Sequence, residues 1–163
     1  MNRKIVVCLD IKEGRVVKGV NFVDIHEVGQ PIELATRYEQ EGADELVLLD
    51  IAATQENRVA TLNLISEVAQ VLTIPFTVGG GIDSVEAAKA VIDAGADRVS
   101  VGSAAINNPQ LIKNLSQTLG SERVVIAIDC KEIEGKWKVY TKGGREETQW
   151  TALEWAKEGE RLG

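Results

Sequence analysis

The chain has 163 residues, 44% of them hydrophobic, which suits the core of one domain rather than two. Charged residues make up 26%, a normal globular value, and the net charge of −7 argues against non-specific nucleic-acid binding. No apolar run approaches the roughly 20 residues that cross a bilayer, and Asp10 interrupts the first run too early for a signal peptide. Neither a nucleic-acid nor a membrane partner is expected.

The cysteines, Cys8 and Cys130, lie far apart without a CxxC pair or neighbouring histidines. They predict small buried strand residues rather than a zinc site or a disulfide, and a reducing cytoplasm as the compartment. His26 is predicted to lie on the surface in a polar loop. No metal and no cofactor are expected.

Short β-branched runs alternate along the chain with longer amphipathic segments. The apolar runs predict strands buried on both faces of a parallel sheet, at Lys4–Asp10, Glu45–Ile51, Pro75–Gly79, Asp97–Gly102 and Arg123–Asp129. The amphipathic segments predict helices at about Pro31–Gln40, Asn57–Leu72, Ser84–Ala94, Pro109–Leu119 and Thr148–Leu162. This alternation indicates repeated right-handed βαβ crossovers.

Helix boundaries carry their usual signals. Pro31 and Pro109 suit first helical turns, and Ser84 suits a capped helix start. Glycine, which a left-handed cap favours, follows the predicted helix ends at Gly42, Gly95 and Gly120.

Two internal repeats are visible. Glu41–Val47 recurs as Ala94–Ser100, a helix end, turn and strand start in two units. Val6–Glu13 aligns with Val125–Glu132, and both copies end in Asp-x-Lys-Glu. A glycine, a β-rich stretch and Lys-Gly follow each copy, at Arg15–Gly19 and at Lys136–Gly143. Because four βα units separate the long copies, the pattern indicates a duplicated half-barrel.

A TIM (βα)₈ barrel needs about 250 residues and eight strands. The chain is therefore predicted to be a single truncated α/β domain, the parallel (βα)₅ portion of such a barrel. It comprises a half-barrel over residues 1–120 and the first βα unit of a second half over 121–163. Five strands cannot close a barrel, so the two edge strands would be exposed. We expect either an open, flavodoxin-like sheet or a barrel completed by another chain, which includes a homo-oligomer.

Asp10 and Asp129 each close a predicted strand, which places them at the rim where barrel active sites lie. Two such carboxylates can divide general-acid and general-base work. Asp50 also closes a strand, so position alone is weak support, and the repeat is what distinguishes the other two.

A glycine run, Gly79–Gly81, joins the third strand to the next helix, and the fourth strand ends similarly at Gly102 and Ser103. Such loops bring backbone N–H groups close to an anion, so Gly80, Gly81, Gly102 and Ser103 are predicted to bind phosphate. Neither GxGxxG nor a P-loop is present. Lys18, in the loop after strand one, is either a substrate clamp or a solvated lysine.

Five segments carry a family resemblance: Cys8–Asp10, Gly14–Gly19, Phe76–Ile82, Ser103–Ala105 and Ala127–Asp129. Together they resemble the cyclase subunit of imidazole glycerol phosphate synthase, from histidine biosynthesis. The resemblance runs over essentially the whole chain and covers the first five βα units of that family.

The resemblance implies that Asp10 and Asp129 are the general acid/base pair. They act while ammonia attacks a phosphoribulosyl-formimino aminoimidazole carboxamide ribonucleotide, giving imidazole glycerol phosphate and aminoimidazole carboxamide ribonucleotide. It also implies that Lys18 is the family's mobile-loop lysine.

Gly81, Gly102 and Ser103 match one of the family's two phosphate sites. Charged residues match the barrel bottom where ammonia enters from a glutaminase partner, namely Lys4, Glu45 and Arg98. Gly102 stands where the family commonly has Asn, and Asp50–Ala53 replaces a usual Thr-bearing segment.

The expected function is that of a cyclase fragment, inactive alone but retaining one phosphate half-site. One alternative is a non-catalytic folding or assembly module. The other is the related isomerase of the same pathway, against which Leu9–Ile11 and Val17–Gly19 favour the cyclase.

Overall fold

A computed structural model describes residues 3–20, 23–52 and 58–163. The chain divides into two compact units. The first comprises Met1–Gly81 with Lys89–Val99, and the second Ile82–Ala88 with Ser100–Gly163. Among the described residues, no helix is both long and apolar enough to cross a membrane.

The first unit is a sheet covered by helices. Its strands are β1 (Val6–Lys12), β2 (Arg15–Val20), β3 (Val23–Gly29), β4 (Glu45–Asp50), β5 (Phe76–Gly79) and the beginning of β6 (Arg98–Val101). They lie in the order β3-β2-β1-β4-β5-β6. β1, β4 and β5 pair in parallel, whereas β1, β2 and β3 form antiparallel hairpins. The helices are α1 (Pro31–Gln40), α2 (Arg58–Val71) and the end of α3 (Val85–Asp93).

Burial alternates along β1 and β4, whereas all four residues of β5 are buried. Leu9 and Ile11 of β1 are buried, as are Leu46 and Leu48 of β4, while Val6 is exposed. Since β-strand side chains alternate between faces and the strands pair in register, the buried residues share one face. That face is covered by helices, whose fully buried residues include Ala35, Ile65 and Val68.

The short sequence repeat has a structural cause. Asp44 accepts a hydrogen bond from the backbone N–H of Ile5 (2.7 Å), and Asp97 accepts one from Phe76 (2.8 Å). Each aspartate also donates its own N–H to the same neighbouring residue. Each copy of Gly-Ala-Asp therefore joins the start of its own strand to the neighbouring strand by two hydrogen bonds.

The second unit follows the end of β6 with short helices and an antiparallel sheet. Its elements are α4 (Ser103–Asn107), α5 (Gln110–Leu119), β7 (Val124–Ile126), β8 (Asp129–Ile133), β9 (Lys136–Thr141), β10 (Glu146–Thr151) and α6 (Ala152–Leu162). Ala127 donates its N–H to Val101 of β6, and the small sheet has the order β10-β9-β8. Leu115, Val139 and Trp155 are fully buried in this unit.

The predicted α/β class with a largely parallel sheet is confirmed, and the half-barrel division stays a prediction. The first four predicted strands and helices are present within about two residues of their predicted bounds, although Asn57, the predicted start of α2, lies outside the described residues. Gly42, Gly95 and Gly120 have the positive φ expected of helix caps, and Ser84 accepts a hydrogen bond from the N–H of Ala87.

Other predictions are wrong. The predicted strand Arg123–Asp129 ends at Ile126, and Asp129 opens β8 instead. His26 lies on β3 rather than in a loop, and both cysteines are exposed rather than buried. The last helix begins at Ala152 rather than Thr148. The reason is a capping box, in which Thr151 accepts from the Glu154 N–H and Glu154 accepts from the Thr151 N–H.

The two repeat glycines allow a matched test of the fold. Gly42 and Gly95 have φ of 98° and 119°, and a Cβ at Gly95 would lie 2.5 Å from the Ala69 Cβ. A Cβ at Gly42 would have no described atom within 4 Å. We expect Gly42→Ala to lower the free energy of unfolding by about 1 kcal/mol, and Gly95→Ala by a further 1–3 kcal/mol or so. Equal losses in urea unfolding would contradict this packing.

Candidate active site

Asp10 lies on the face of the first unit's sheet opposite the buried core residues. Its neighbours in register are Leu49 of β4 and Val17 of β2, so it is near the carboxyl end of the parallel pairing although β1 continues to Lys12. Cys8 occupies the same face two residues earlier and is exposed, while Asp10 is half-buried. Partial burial raises the pKa of Asp10 above its ordinary value. This acid therefore faces away from the core with a perturbed proton affinity.

Lys4, Glu45 and Arg98 are joined by hydrogen bonds, while their role at an ammonia entrance stays a prediction. One carboxylate oxygen of Glu45 accepts from Lys4 Nζ and the other from Arg98 Nη1, at 2.7 Å. The hydrogen bond from Lys4, together with that from Arg98 and both positive charges, lowers the pKa of Glu45. We call these three residues the charged cluster.

The charged cluster shares a sheet face with Asp10. Glu45 pairs in register with Val6, and Val6, Cys8 and Asp10 alternate to one side of β1. Four residues of strand separate Val6 from Asp10, a distance of about 13 Å. The face thus carries a fixed group of charges at its amino end and an acid toward its carboxyl end.

The glycine run ends β5 in a conformation that needs glycine. Gly80 and Gly81 have φ of 97° and 63°. A Cβ on Gly80 would lie only 2.0 Å from the backbone oxygen of Asp50. Tight packing against β4 therefore accounts for Gly80, and phosphate binding by this loop stays a prediction.

In the second unit, Asp129 is the exposed first residue of β8 and lies opposite Tyr140 of β9. Ser103 begins α4, and its Oγ accepts a hydrogen bond from the backbone N–H of Lys142 (3.0 Å). A Cβ at Gly102 would meet the Ala127 oxygen at 3.6 Å, an ordinary contact. A Cβ at this position would therefore meet no close contact.

Lys18 is not brought beside Asp10. It lies on β2 rather than in a loop, next to Val17, and its exposed side chain alternates to the face opposite Val17 and Asp10. The described residues contain no group of three or more His, Cys, Asp or Glu placed to hold a metal ion.

Sequence reasoning missed three partners of the candidate site. Tyr140 lies opposite Asp129, the N–H of Lys142 engages Ser103, and Thr61 hydrogen-bonds Asp50. A signal for Tyr140 was present in the sequence. A Glu-Gly pair follows each acid, at Glu13-Gly14 and Glu134-Gly135, and forms the turn of a hairpin whose second strand returns to face that acid.

The first unit's parallel strands and helices, with polar groups at both ends of one sheet face, define the class: a βα-repeat protein of the kind that uses strand ends for chemistry. The sequence model of the family described as histidine biosynthesis protein matches residues 4–163. The chain therefore belongs to the histidine biosynthesis protein family.

Curated relatives carry the name imidazole glycerol phosphate synthase subunit HisF. That of Flavobacterium psychrophilum is 50% identical over 163 residues, 100% of this chain and 65% of the relative. That of Halalkalibacterium halodurans is 50% identical over 165 residues (100% and 66%), and that of Thermococcus onnurineus 52% identical over 161 residues (99% and 64%). The chain thus spans about two thirds of the length of these relatives.

The charged cluster predicts a pH dependence of stability. Because the folded-state pKa of Glu45 lies below its ordinary value of 4.5, its ion pairs stabilise the fold above that pH and lose their effect as pH falls through the lowered pKa. We expect Glu45→Gln to be less stable than wild type at pH 7, with the difference narrowing below pH 4.5. Chemical unfolding across pH measures this.

Glu41→Gln is the matched control, since Glu41 pairs with Arg37 on the exposed surface of the same unit. It should change stability little at any pH. A stability difference between wild type and Glu45→Gln that stays constant down to pH 3 would contradict the assignment.

Proposed function

We propose that the chain supplies the cyclase chemistry of imidazole glycerol phosphate formation. Ammonia would attack the phosphoribulosyl-formimino aminoimidazole carboxamide ribonucleotide, with Asp10 and Asp129 as general acid and base. The observation that carries the proposal is the sheet face that links the charged cluster to Asp10. The similarity to HisF subunits along the full chain supports it.

Asp10 suits proton transfer because burial raises its pKa and so moves its proton affinity toward neutral pH. Asp129 is exposed and open to a substrate. On this proposal both remain available for proton transfer, and Lys18 would have to change its position to act as a substrate lysine.

Ammonia is proposed to enter from a glutaminase partner at the charged cluster. From there it would move along the side of β1 that carries Val6 and Cys8 toward Asp10. The reaction is proposed to take place in the cytoplasm, where the free thiols of Cys8 and Cys130 stay reduced.

Phosphate binding is proposed for both loops. In the first unit, Gly80 and Gly81 leave backbone N–H groups without side chains over them. In the second, the Ser103 hydroxyl accepts from Lys142 and keeps its own proton to donate. Each loop taken by itself therefore offers hydrogen-bond donors that suit a phosphate group.

The 163 residues are proposed to bind phosphate but to turn over little substrate alone. The chain covers only 65% of the Flavobacterium psychrophilum relative, and misplacing a substrate by an ångström can cost about 100-fold in rate. The name shared by those relatives favours the cyclase over the related isomerase.

An assembly role is the second candidate. A groove of about 390 Å³ in the second unit is lined mainly by apolar residues of α5, β7 and α6, including Ile112, Val125 and Ala156. Because an apolar groove of this kind suits a protein contact, a homo-oligomer is the alternative. A monomer in sedimentation velocity would exclude obligatory assembly.

Catalysis can be tested with ammonia as the nitrogen source. The chain alone should give turnover near background. Joining it to the remaining third of the Flavobacterium psychrophilum relative should restore turnover, and Asp10→Asn or Asp129→Asn should then reduce kcat by about 100-fold or more. Asp93→Asn, at the exposed end of α3, serves as the control carboxylate.

Full turnover by the chain alone would contradict the proposed incompleteness. Unchanged kcat in either Asn variant of the hybrid would contradict the proposed acid/base roles.

Phosphate binding can be tested separately by titrating inorganic phosphate into the ¹⁵N-labelled chain. We expect the amides of Gly81 and Ser103 to shift, and Ser103→Ala to raise the dissociation constant roughly 3- to 10-fold through loss of one hydrogen bond. Ser116→Ala on α5 is the control. Saturating phosphate without a shift at either amide would count against both loops.

A further inference from the structure

We propose that Asp50 is a positioning residue, whose hydrogen bond with Thr61 sets the geometry of the Gly80–Gly81 loop and thereby its affinity for phosphate. The inference rests on the phosphate role proposed above. Asp50 ends β4 and at first sight belongs with Asp10 as another strand-end acid. The register separates the two.

Asp50 and Asp10 point to opposite faces of the sheet. Asp10 is in register with Leu49, so Asp50 alternates to the face of Leu46 and Leu48, where the helices pack. Asp50 therefore lies on the helix side of the sheet, away from the side that carries Asp10 and the charged cluster.

Both carboxylate oxygens of Asp50 are engaged on that side. Oδ1 accepts from the backbone N–H of Ala52 (3.0 Å), and Oδ2 accepts from Thr61 Oγ1 (2.8 Å). Thr61 lies in the first turns of α2, so the two bonds tie the end of β4 to the helix that follows it. Asp50 is partly buried, and hydrogen bonds to an ionised carboxylate are stronger than those between neutral groups, so the two bonds hold the side chain in one position.

The backbone of Asp50 in turn supports the glycine loop. Leu49 and Gly79 form the final in-register pair of β4 and β5, so Asp50 and Gly80 come side by side just beyond it. They are so close that a Cβ on Gly80 would lie 2.0 Å from the Asp50 oxygen and 2.8 Å from its carbonyl carbon. The backbones of Asp50 and Gly80 are therefore in close contact, so we expect a shift of the Asp50 backbone to be passed to Gly80 and the N–H of Gly81.

Thr61→Val and Thr61→Ser form the test pair. Valine keeps the shape of threonine but cannot donate to Asp50, whereas serine keeps the hydroxyl. In the ¹⁵N-labelled full chain, we expect Thr61→Val to shift the Gly80 and Gly81 amides and to raise the dissociation constant of inorganic phosphate roughly 3- to 10-fold. Thr61→Ser should stay within about 2-fold of wild type. Thermal unfolding of each variant confirms that it is folded.

The catalytic reading of Asp50 is tested in the active hybrid described above. A positioning role predicts that Asp50→Asn raises KM with kcat largely retained, because binding rather than chemistry is affected. A loss of kcat of about 100-fold with an altered pH profile would make Asp50 a catalytic acid and overturn the inference.

The outcomes separate this inference from the proposed function. Wild-type chain that binds phosphate while Thr61→Val binds equally well, with Gly80 and Gly81 unshifted, would overturn the inference and leave the proposed function standing. Wild-type chain that shows no phosphate binding would overturn the phosphate role and the inference together.

Discussion

The in-register parallel pairing of β1 with β4 is the constraint on which the candidate site depends. It runs from Val6 opposite Glu45 to Ile11 opposite Asp50. Because side chains alternate along a strand, this register directs Asp10 and Glu45 to one face and Asp50 to the other. A slip of one residue in either strand would exchange the faces and bury a charge among the core side chains.

The parts of the fold that sequence could predict are those with strong local signals. Helix α1 was predicted at its observed bounds, because Pro31 starts it and Gly42 follows its end. The strands β8 and β10 were not predicted, because they are rich in charged and polar residues, and the pairing of β8, β9 and β10 depends on contacts between strands. The environment of Asp129 could not be derived from the apolar run before it, because strand β7 ends at Ile126 and Asp129 belongs to β8.

The long repeat is visible in the amino-acid sequence, and in the structure each copy runs into a β-hairpin. Glu13-Gly14 and Glu134-Gly135 both have positive φ at two successive residues, as type I′ turns require. Each acid lies opposite a residue of the returning strand, but the second hairpin is longer, so a valine faces Asp10 whereas Tyr140 faces Asp129. Lys131 lies over the Tyr140 ring at 4.5 Å, a contact that the first hairpin does not reproduce among the described residues. The two acids thus both face the returning strand of a hairpin, but the residues around them differ.

The shared face of β1 and β4 also bears on the chemical form in which nitrogen would travel on the proposed function. Between the charged cluster and Asp10 the face carries Val6, Cys8 and Val47, none of which can hold an ammonium ion by charge. Val6 and Cys8 are exposed, so an ammonium ion passing them would stay hydrated and would gain no partner charge there. The cluster itself has its carboxylate already paired with Lys4 and Arg98, so it offers an incoming ammonium no free counter-charge. The face thus offers no charged site that would hold ammonium between the cluster and Asp10, which suits a reaction whose nucleophile is neutral ammonia, the form able to attack carbon.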